Sequence, residues 1–294
     1  MSTPTVDRSP AKVTTLALRR KKAAGERITM LTAYDYPTAL ALDQAGIDSI
    51  LVGDSLGMVV LGYDNTLPVT MDEMIHHCRA VARGARRPLL IGDMPFLSYQ
   101  VSPEEAVRNA GRFLQQGGMD AVKVEGGRER LPAIGAILQA GIPVMGHVGL
   151  TPQSIHQLGG FRPQGRTAQA AVELLGDAIA LEEAGCFAIV LESIPQEWGE
   201  EVSRRLSIPT IGIGAGAGCN GQVLVTHDLL GLFERFTPRF ARQYADLHGE
   251  MKRAFAAYIR DVEAGQFPAT EHSLAMDPDE LRSALKALRA GAAA

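Results

Sequence analysis

Six ionisable residues in five separate stretches each end or follow a short apolar run, and their types suit acid–base and metal chemistry. They are Asp54, Asp93, Lys123, Glu125, His147 and Glu192. The carboxylates of Asp54, Asp93 and Glu125 form a set of hard oxygen donors, without a cysteine cluster or an HExxH sequence. Such a set favours Mg²⁺ over zinc and leaves coordination positions for substrate and water. These three residues therefore predict a Mg²⁺ site.

Lys123 and Glu125 are two residues apart in one predicted strand, so their side chains point to the same side. A cation beside a metal site favours a substrate that carries a carboxylate, such as an α-keto acid chelated through its ketone. Chelation of this kind acidifies the carbon next to the ketone. The alternative is a purely structural ion pair inside the fold.

Glu192 follows the apolar run Ile189–Leu191 and precedes Pro195. A carboxylate that leaves an apolar strand in this way is a candidate general base. It could instead cap the helix predicted after Pro195. His147 is a candidate for orienting the substrate or another acid, although a hydrogen-bonded structural histidine is an equal alternative.

The elements that must position these residues alternate between strand and helix. Short runs rich in β-branched residues are separated by amphipathic stretches, with N-cap signals such as Thr70 and Ser102 and with glycines before the next strand. The predicted strands are 28–33, 49–53, 88–93, 121–125, 143–148, 188–192, 210–214 and 222–226. Runs such as Ile50-Leu51-Val52 are continuously apolar, as in parallel strands covered on both faces.

Eight βα units in about 200 residues predict a (β/α)8 TIM barrel with a C-terminal helical extension. An open doubly wound sheet is the alternative, but it rarely needs eight similar units. We predict a flexible N-terminus at residues 1–11, a catalytic barrel with appended helices at 12–265 and a C-terminal extension at 266–294. Insertions at 55–69 and 149–166 follow strands 2 and 5 and are candidate lids. A barrel brings all strand ends to one mouth, so the six residues should converge there.

Composition restricts the partners. The chain has 294 residues, 46% of them hydrophobic and 21% charged, with a formal net charge of −4. The sequence pI is near 6.0, which gives no electrostatic reason to expect nucleic acid or an anionic membrane. Three cysteines without CxxC spacing favour a reducing compartment, and no apolar run reaches the ~18 residues of a membrane span. We expect a soluble cytoplasmic protein with a small-molecule ligand.

A glycine-rich stretch at 212–221 formally contains GxGxxG at 216–221. The match precedes a strand instead of linking a strand to a helix, and no ribose-binding acid follows at the required place, which excludes a dinucleotide site. Close approach of the backbone to a ligand and a tight turn both stay open.

Six separated motifs, in order, resemble the ketopantoate hydroxymethyltransferase family over roughly residues 12–263. They are TAYD at 32–35, VGDSLG at 52–57, GDMPF at 92–96, VKVEGG at 122–127, GHVGLTPQ at 146–153 and GIGAG at 212–216. The resemblance implies a barrel of the phosphoenolpyruvate mutase and isocitrate lyase superfamily. It also implies a homo-oligomer, often a decamer whose C-terminal helices pack on neighbours.

The implied activity is hydroxymethyl transfer from 5,10-methylenetetrahydrofolate to 3-methyl-2-oxobutanoate, which gives 2-dehydropantoate for pantothenate synthesis. On matching positions, the resemblance makes Asp54, Asp93 and Glu125 ligands of Mg²⁺ or of its waters. It makes Asp54, Ser55, Asp93 and Lys123 contacts of the keto acid, and Glu192 the proton acceptor. We expect His147 to help position the substrate or move protons.

The mechanism expected from this set is a Mg²⁺-stabilised enolate: Lys123 adds positive charge beside it, and Glu192 removes the C3 proton. Three alternatives stay open. A lyase of the same superfamily would use a similar metal site, but the KKCGH motif of the isocitrate lyase type is absent. An aldolase with a Schiff base on Lys123 would need no metal. A noncatalytic binding barrel would not exchange substrate protons.

Overall fold

The computed structural model describes residues 11–291, so the predicted flexible N-terminus falls almost entirely outside the described residues. Eight parallel strands form a closed barrel in which each pairs with its sequence neighbours and β1 pairs with β8. The strands are β1 Ile28–Thr32, β2 Ser49–Val52, β3 Leu89–Asp93, β4 Ala121–Glu125, β5 Val144–Gly149, β6 Ala188–Glu192, β7 Thr210–Ile213 and β8 Gly221–Leu224. The predicted (β/α)8 barrel is therefore confirmed, with strand ends shifted by at most two residues.

Helices alternate with the strands along the chain, and the final two helices come after the last strand. They are α1 Thr15–Ala23, α2 Tyr36–Gln44, α3 Leu56–Val59, α4 Met71–Gly84, α5 Pro103–Gln115, α6 Leu131–Gln139, α7 Ile155–Leu158, α8 Ala168–Ala184, α9 Gln196–Arg205, α10 Thr226–Leu229, α11 Leu247–Glu263 and α12 Pro278–Gly291. The start signals have the expected local cause: Thr70 forms a capping box with Glu73, and the Ser102 side chain accepts from the N–H of Glu105.

Strand side chains alternate between two apolar clusters. In β2 and β3, Ile50 and Leu90 pack outward against the helices, whereas Leu51 and Ile91 belong to a second cluster inside the barrel. The same alternation continues around the barrel with a period of two residues. The inward row of β3 runs from Leu89 through Ile91 to Asp93. Lys123 with Glu125, His147 and Glu192 likewise follow inward apolar residues of their strands, whereas Asp54 lies just beyond the end of β2.

Helix α1 contributes Leu18 to the interior cluster of the barrel. Lys21 forms an ion pair of 2.7 Å with Asp48, which also accepts from the backbone N–H and the hydroxyl of Thr29. Lys22 donates to three carbonyl oxygens at the end of α9 and beyond, those of Ser203, Leu206 and Ile208. These contacts anchor α1 to the strand starts, at the face opposite the strand ends.

Two compact units divide the chain, one ending at Tyr244 and the other starting at Ala245. The first contains the whole barrel. The second contains α11 and α12, so α11, which we assigned with residues 12–265, is grouped with the C-terminal residues. None of the helices in residues 11–291 has the length and apolar character needed to cross a membrane.

Candidate active site

The six ionisable residues converge. All of them, together with Ser55, line one cavity of ≈ 360 Å³ at the carboxyl ends of the strands. Asp54, Asp93, Lys123, Glu125 and His147 are buried, and 15% of the Glu192 side chain is exposed. Both insertions contribute to the same cavity, 55–69 through Met58 and Thr66, and 149–166 through Leu150 and Phe161.

The three predicted metal ligands form a cluster. Asp54, Asp93 and Glu125 each offer a carboxylate oxygen, and these atoms lie within 4.8 Å of one another. The backbone N–H of Asp54 donates to Asp93 Oδ2 at 3.1 Å and so joins the first two of these residues. Asp93 Oδ1 lies 2.9 Å from Lys123 Nζ, but it is not aligned for a hydrogen bond with any group among residues 11–291.

The electrostatics of this cluster favour a bound cation. Burial raises the pKa of Asp54 well above its usual range, and the charges of Asp93 and Glu125 add to the rise. Burial also raises the pKa of Asp93, although Lys123 opposes it. Burial would raise the pKa of Glu125 as well, but Lys123, His147 and the Gln153 backbone bring it down to about 2. The raised pKa of Asp54 reflects repulsion among three buried carboxylates, which a bound cation would relieve, and hard oxygen donors suit Mg²⁺.

Lys123 is the central cation of the site. Its Nζ is 2.9 Å from Asp93 Oδ1, 3.5 Å from Glu125 Oε1 and 3.1 Å from His147 Nδ1. Burial alone would lower the pKa of Lys123, but the carboxylates of Asp93, Glu125 and Asp54 outweigh this and raise it. Lys123 therefore stays protonated and acts as a fixed positive charge.

His147 connects the acid cluster to Glu192. Its Nδ1 is 3.4 Å from Glu125 Oε1, and its Nε2 is 3.2 Å from Glu192 Oε2. Burial and the charge of Lys123 favour the neutral ring, but Glu125 and Glu192 outweigh them and raise the pKa of His147 to about 9. A divalent cation on the neighbouring carboxylates would add positive charge and lower that pKa again. His147 thus links two acids that sequence alone treats as unrelated.

A hydrogen-bonded pair missed by the sequence reasoning holds two of the carboxylates. Gln153 Nε2 donates to Asp54 Oδ2 and to the Met94 carbonyl, both at 2.9 Å, and its backbone N–H donates to Glu125 Oε2 at 3.1 Å. The Tyr99 hydroxyl donates to Gln153 Oε1 at 2.7 Å and so fixes the amide orientation. Gln153 ends the GHVGLTPQ motif, which was the only available signal.

Ser55 and the glycine-rich stretch have clear local roles. Ser55 directly precedes α3, and its Oγ lies 2.9 Å from the Tyr34 hydroxyl. Of the glycines, Gly216 and Gly218 lie so close to α9 that an added Cβ would meet Gln196 at 2.4 Å and Glu200 at 2.5 Å. The turn therefore needs glycine for packing on α9, which favours the tight-turn interpretation of this stretch over a ligand loop.

A family model described as "Ketopantoate hydroxymethyltransferase" matches residues 12–270. Three similar curated proteins are all called 3-methyl-2-oxobutanoate hydroxymethyltransferase. The protein from Chloroflexus aggregans is 59% identical over 91% of this chain and 95% of its own. The one from Oleidesulfovibrio alaskensis is 57% identical over 87% and 89%. The one from Nitratidesulfovibrio vulgaris is 52% identical over 98% and 93%.

Solved structures with the same fold are more distant in sequence. A phosphonopyruvate hydrolase in complex with oxalate and Mg²⁺ has a TM-score of 0.59 at 15% identity, over 93% of this chain and 98% of its own. A 2,3-dimethylmalate lyase, a member of the PEP mutase/isocitrate lyase superfamily, has a TM-score of 0.54 at 17% identity, over 96% and 99%. These similarities identify the fold of the chain and do not specify its chemistry.

Proposed function

Because the chain belongs to the ketopantoate hydroxymethyltransferase family, we propose that it transfers a hydroxymethyl group from 5,10-methylenetetrahydrofolate to 3-methyl-2-oxobutanoate. The products would be 2-dehydropantoate and tetrahydrofolate. The chain is an enzyme, a hydroxymethyltransferase of pantothenate synthesis. We propose in addition the folate donor and the route through an enolate. The observation that carries the route is the convergence of three buried carboxylates, a charged lysine and a half-buried glutamate on one cavity.

Asp54, Asp93 and Glu125 are the residues that would hold Mg²⁺, directly or through water. When bound, the ion would polarise the substrate ketone and acidify the adjacent C3–H. The donor set supports this assignment because all three ligands are carboxylates within reach of one ion. Asp54, Asp93 and Ser55 are also proposed to contact the oxygens of the keto acid, which their place in the lining of the same cavity supports.

Lys123 is proposed to bind and orient the substrate carboxylate and to stabilise the enolate. Its ammonium group is buried among carboxylates and already charged, so it need not reorganise when negative charge develops on the substrate. The same observation disfavours the Schiff-base alternative. A Schiff-base lysine is activated by a lowered pKa, whereas the pKa of Lys123 is raised.

Glu192 is proposed as the general base. The C3–H bond of the keto acid breaks and its proton passes to the Glu192 carboxylate. A C–C bond forms to the folate-borne methylene carbon as the bond from that carbon to one folate nitrogen breaks. The bond to the second folate nitrogen breaks when water adds to the same carbon, and the two nitrogens take up one proton from Glu192 and one from water. Water supplies the hydroxyl oxygen and tetrahydrofolate leaves. His147 is proposed to orient that carboxylate and to pass the proton onward, a role supported by the 3.2 Å between its Nε2 and Glu192 Oε2.

Two further alternatives make different predictions. A lyase acting on a 2-hydroxy acid would cleave a C–C bond at the same metal site and would not consume the folate. A noncatalytic barrel would bind the keto acid without exchanging its C3 proton.

The cytoplasmic location stays a prediction.

A homo-oligomer is also proposed, and the exposed apolar side chains of α11, among them Met251, Phe255 and Ile259, support it. A decamer is the size that the family resemblance implies. Light scattering of the purified chain measures the assembly mass, and a monomer at micromolar concentration would contradict this proposal.

The test is Glu192→Gln, with Glu197→Gln as the matched control. Glu197 lies on α9, outside the cavity lining. We expect Glu192→Gln to bind Mg²⁺ and 3-methyl-2-oxobutanoate with near-normal affinity by calorimetry, but to exchange the C3 proton in D₂O at least about 100-fold more slowly. The control should exchange normally. Exchange at the full rate in Glu192→Gln would remove this residue as the base.

A further inference from the structure

The cavity is larger than the keto acid requires. The eight non-hydrogen atoms of 3-methyl-2-oxobutanoate would fill at most about 240 Å³, even if each occupied the volume of one molecule in liquid water, about 30 Å³. The cavity holds ≈ 360 Å³. The ionisable residues lie at its inner end, and another set of side chains surrounds the remaining volume.

The residues that line the cavity differ in the exposed fraction of their side chains. The five inner ionisable residues are buried and 15% of the Glu192 side chain is exposed, whereas Phe240 is 37% exposed, Phe161 49% and Phe236 63%. The outer lining also includes Phe233. These four phenylalanines are the aromatic side chains of the lining and are called here the aromatic rim. Glu192 is more exposed than the acid cluster and less exposed than Phe161, Phe236 and Phe240 of the aromatic rim.

An aromatic rim of this kind is unusual on a free surface. Exposed aromatic side chains grouped around one opening mark a ligand or interaction site more often than isolated ones do. Three of the four come from residues 233–240, which follow α10 and line the cavity. Phe240 packs so closely on Gly214 at the end of β7 that an added Cβ there would meet the ring at 2.7 Å. The rim is therefore attached to the barrel itself.

The chemistry restricts the occupant. The acid cluster and Glu192 are the less exposed part of the lining, so a one-carbon donor that enters from solvent would contact the more exposed aromatic rim. That donor carries its methylene group on a reduced pteridine ring, followed by an aminobenzoyl ring and a glutamate with carboxylates. Flat rings match the phenylalanines, and the carboxylates match Arg239, which is exposed beside Phe240 and forms no ion pair within residues 11–291.

We propose that the aromatic rim is the folate subsite: Phe161, Phe233, Phe236 and Phe240 bind the pteridine and aminobenzoyl rings, and Arg239 binds a glutamate carboxylate. This inference rests on the proposed function. It assigns a role to side chains that the acid–base mechanism does not use. It also explains why an opening above a highly charged site is lined by exposed apolar surface.

Binding of tetrahydrofolate, measured by calorimetry under reducing conditions, tests the subsite on the intact chain. The variants are Phe236→Ala and Phe240→Ala, with Leu16→Ala on α1 as an exposed apolar control at the opposite face. Phe236→Ala is included because Phe236 is the most exposed of the rim residues. We expect the Kd for tetrahydrofolate to rise at least about fivefold more than the Kd for the keto acid in each rim variant. Leu16→Ala should change neither the Kd for tetrahydrofolate nor the Kd for the keto acid.

Arg239→Ala tests whether the positive charge of Arg239 binds a glutamate carboxylate of the folate. Arg83→Ala, near the end of α4, is its control. We expect Arg239→Ala to weaken tetrahydrofolate at least about fivefold, and to leave unchanged the affinity for tetrahydropteroate, which lacks the glutamate. Equal folate affinity in wild-type and both rim variants, in a chain that still exchanges the C3 proton, would overturn the subsite. A changed assembly mass in Phe236→Ala with unchanged folate affinity would overturn it too and assign the rim to a subunit interface. A wild-type chain that exchanges no C3 proton and binds no folate would instead refute the proposed function.

Discussion

Replacing Lys123 with Met isolates the charge that balances the buried carboxylates. At an effective dielectric constant of about 20, the attraction between Lys123 Nζ and a carboxylate at 2.9 Å is about 6 kcal/mol, and at 3.5 Å about 5 kcal/mol. Desolvation of the lysine offsets much of this gain. Removing one partner of a buried ion pair costs about 3–5 kcal/mol, because the other charges stay buried without compensation.

The assay is the thermal unfolding midpoint, Tm, measured in EDTA and again with excess Mg²⁺. In EDTA we expect Lys123→Met to unfold roughly 6–10 °C below wild type, at about 2 °C per kcal/mol for a domain of this size. Mg²⁺ should stabilise the variant more than wild type, because the acid cluster has lost its own cation. A ligand at 100 times its Kd adds about 2.7 kcal/mol, enough to recover much of the difference.

Lys21→Met is the matched control. Lys21 pairs with Asp48 at the opposite end of the barrel, where residues 11–291 form no carboxylate cluster. We expect a loss of about 1 kcal/mol that Mg²⁺ does not restore. Equal Tm values for wild type and Lys123→Met in EDTA, or equal stabilisation of both by Mg²⁺, would refute the reasoning that Lys123 neutralises a cation-binding cluster.

Three further predictions concern single side chains. Gln153→Leu should weaken Mn²⁺ binding, followed by electron paramagnetic resonance, by about tenfold, because Asp54 loses its amide donor; an unchanged Kd would contradict the positioning role. Asp48→Asn should lower stability by about 1–3 kcal/mol at pH 7. Since the pKa of Asp48 is lowered in the folded chain, chiefly by Lys21 and Thr29 against the effect of burial, this difference should vanish as the pH falls below about 4; a pH-independent difference would contradict it. Burial raises the pKa of Asp228 to about 6, so wild type loses stability as the pH rises from about 4 to 6. Asp228→Asn should therefore raise the Tm at pH 8 but not at pH 4, and equal midpoints at pH 8 would count against it.

The barrel and the inner acid cluster could be predicted because both follow from short-range patterns. Apolar strand runs with helical stretches between them specify eight βα units, and a parallel barrel sends every strand end to one mouth. The period of two then puts Lys123 and Glu125 on the same side of β4, as the structure shows. No long-range contact had to be known for either prediction.

The contacts that arrange the cluster could not be predicted in this way. Tyr99 lies in the loop after β3 and Gln153 in a 3-10 turn of three residues after β5, and their hydrogen bond joins residues 54 positions apart. Neither spacing nor residue type in a loop specifies such a pair. The aromatic rim was missed for a similar reason, since residues 233–240 have no periodic pattern and gain their meaning only from the cavity that they surround.

The most direct test of the central claim is proton NMR of 3-methyl-2-oxobutanoate in D₂O with the purified chain, without folate. The C3 proton signal should disappear with Mg²⁺ and persist with EDTA, because proton removal by Glu192 requires a ketone polarised at the acid cluster. Persistence of the signal with Mg²⁺, even after a folate analogue is added, would contradict the enolate route and favour a lyase.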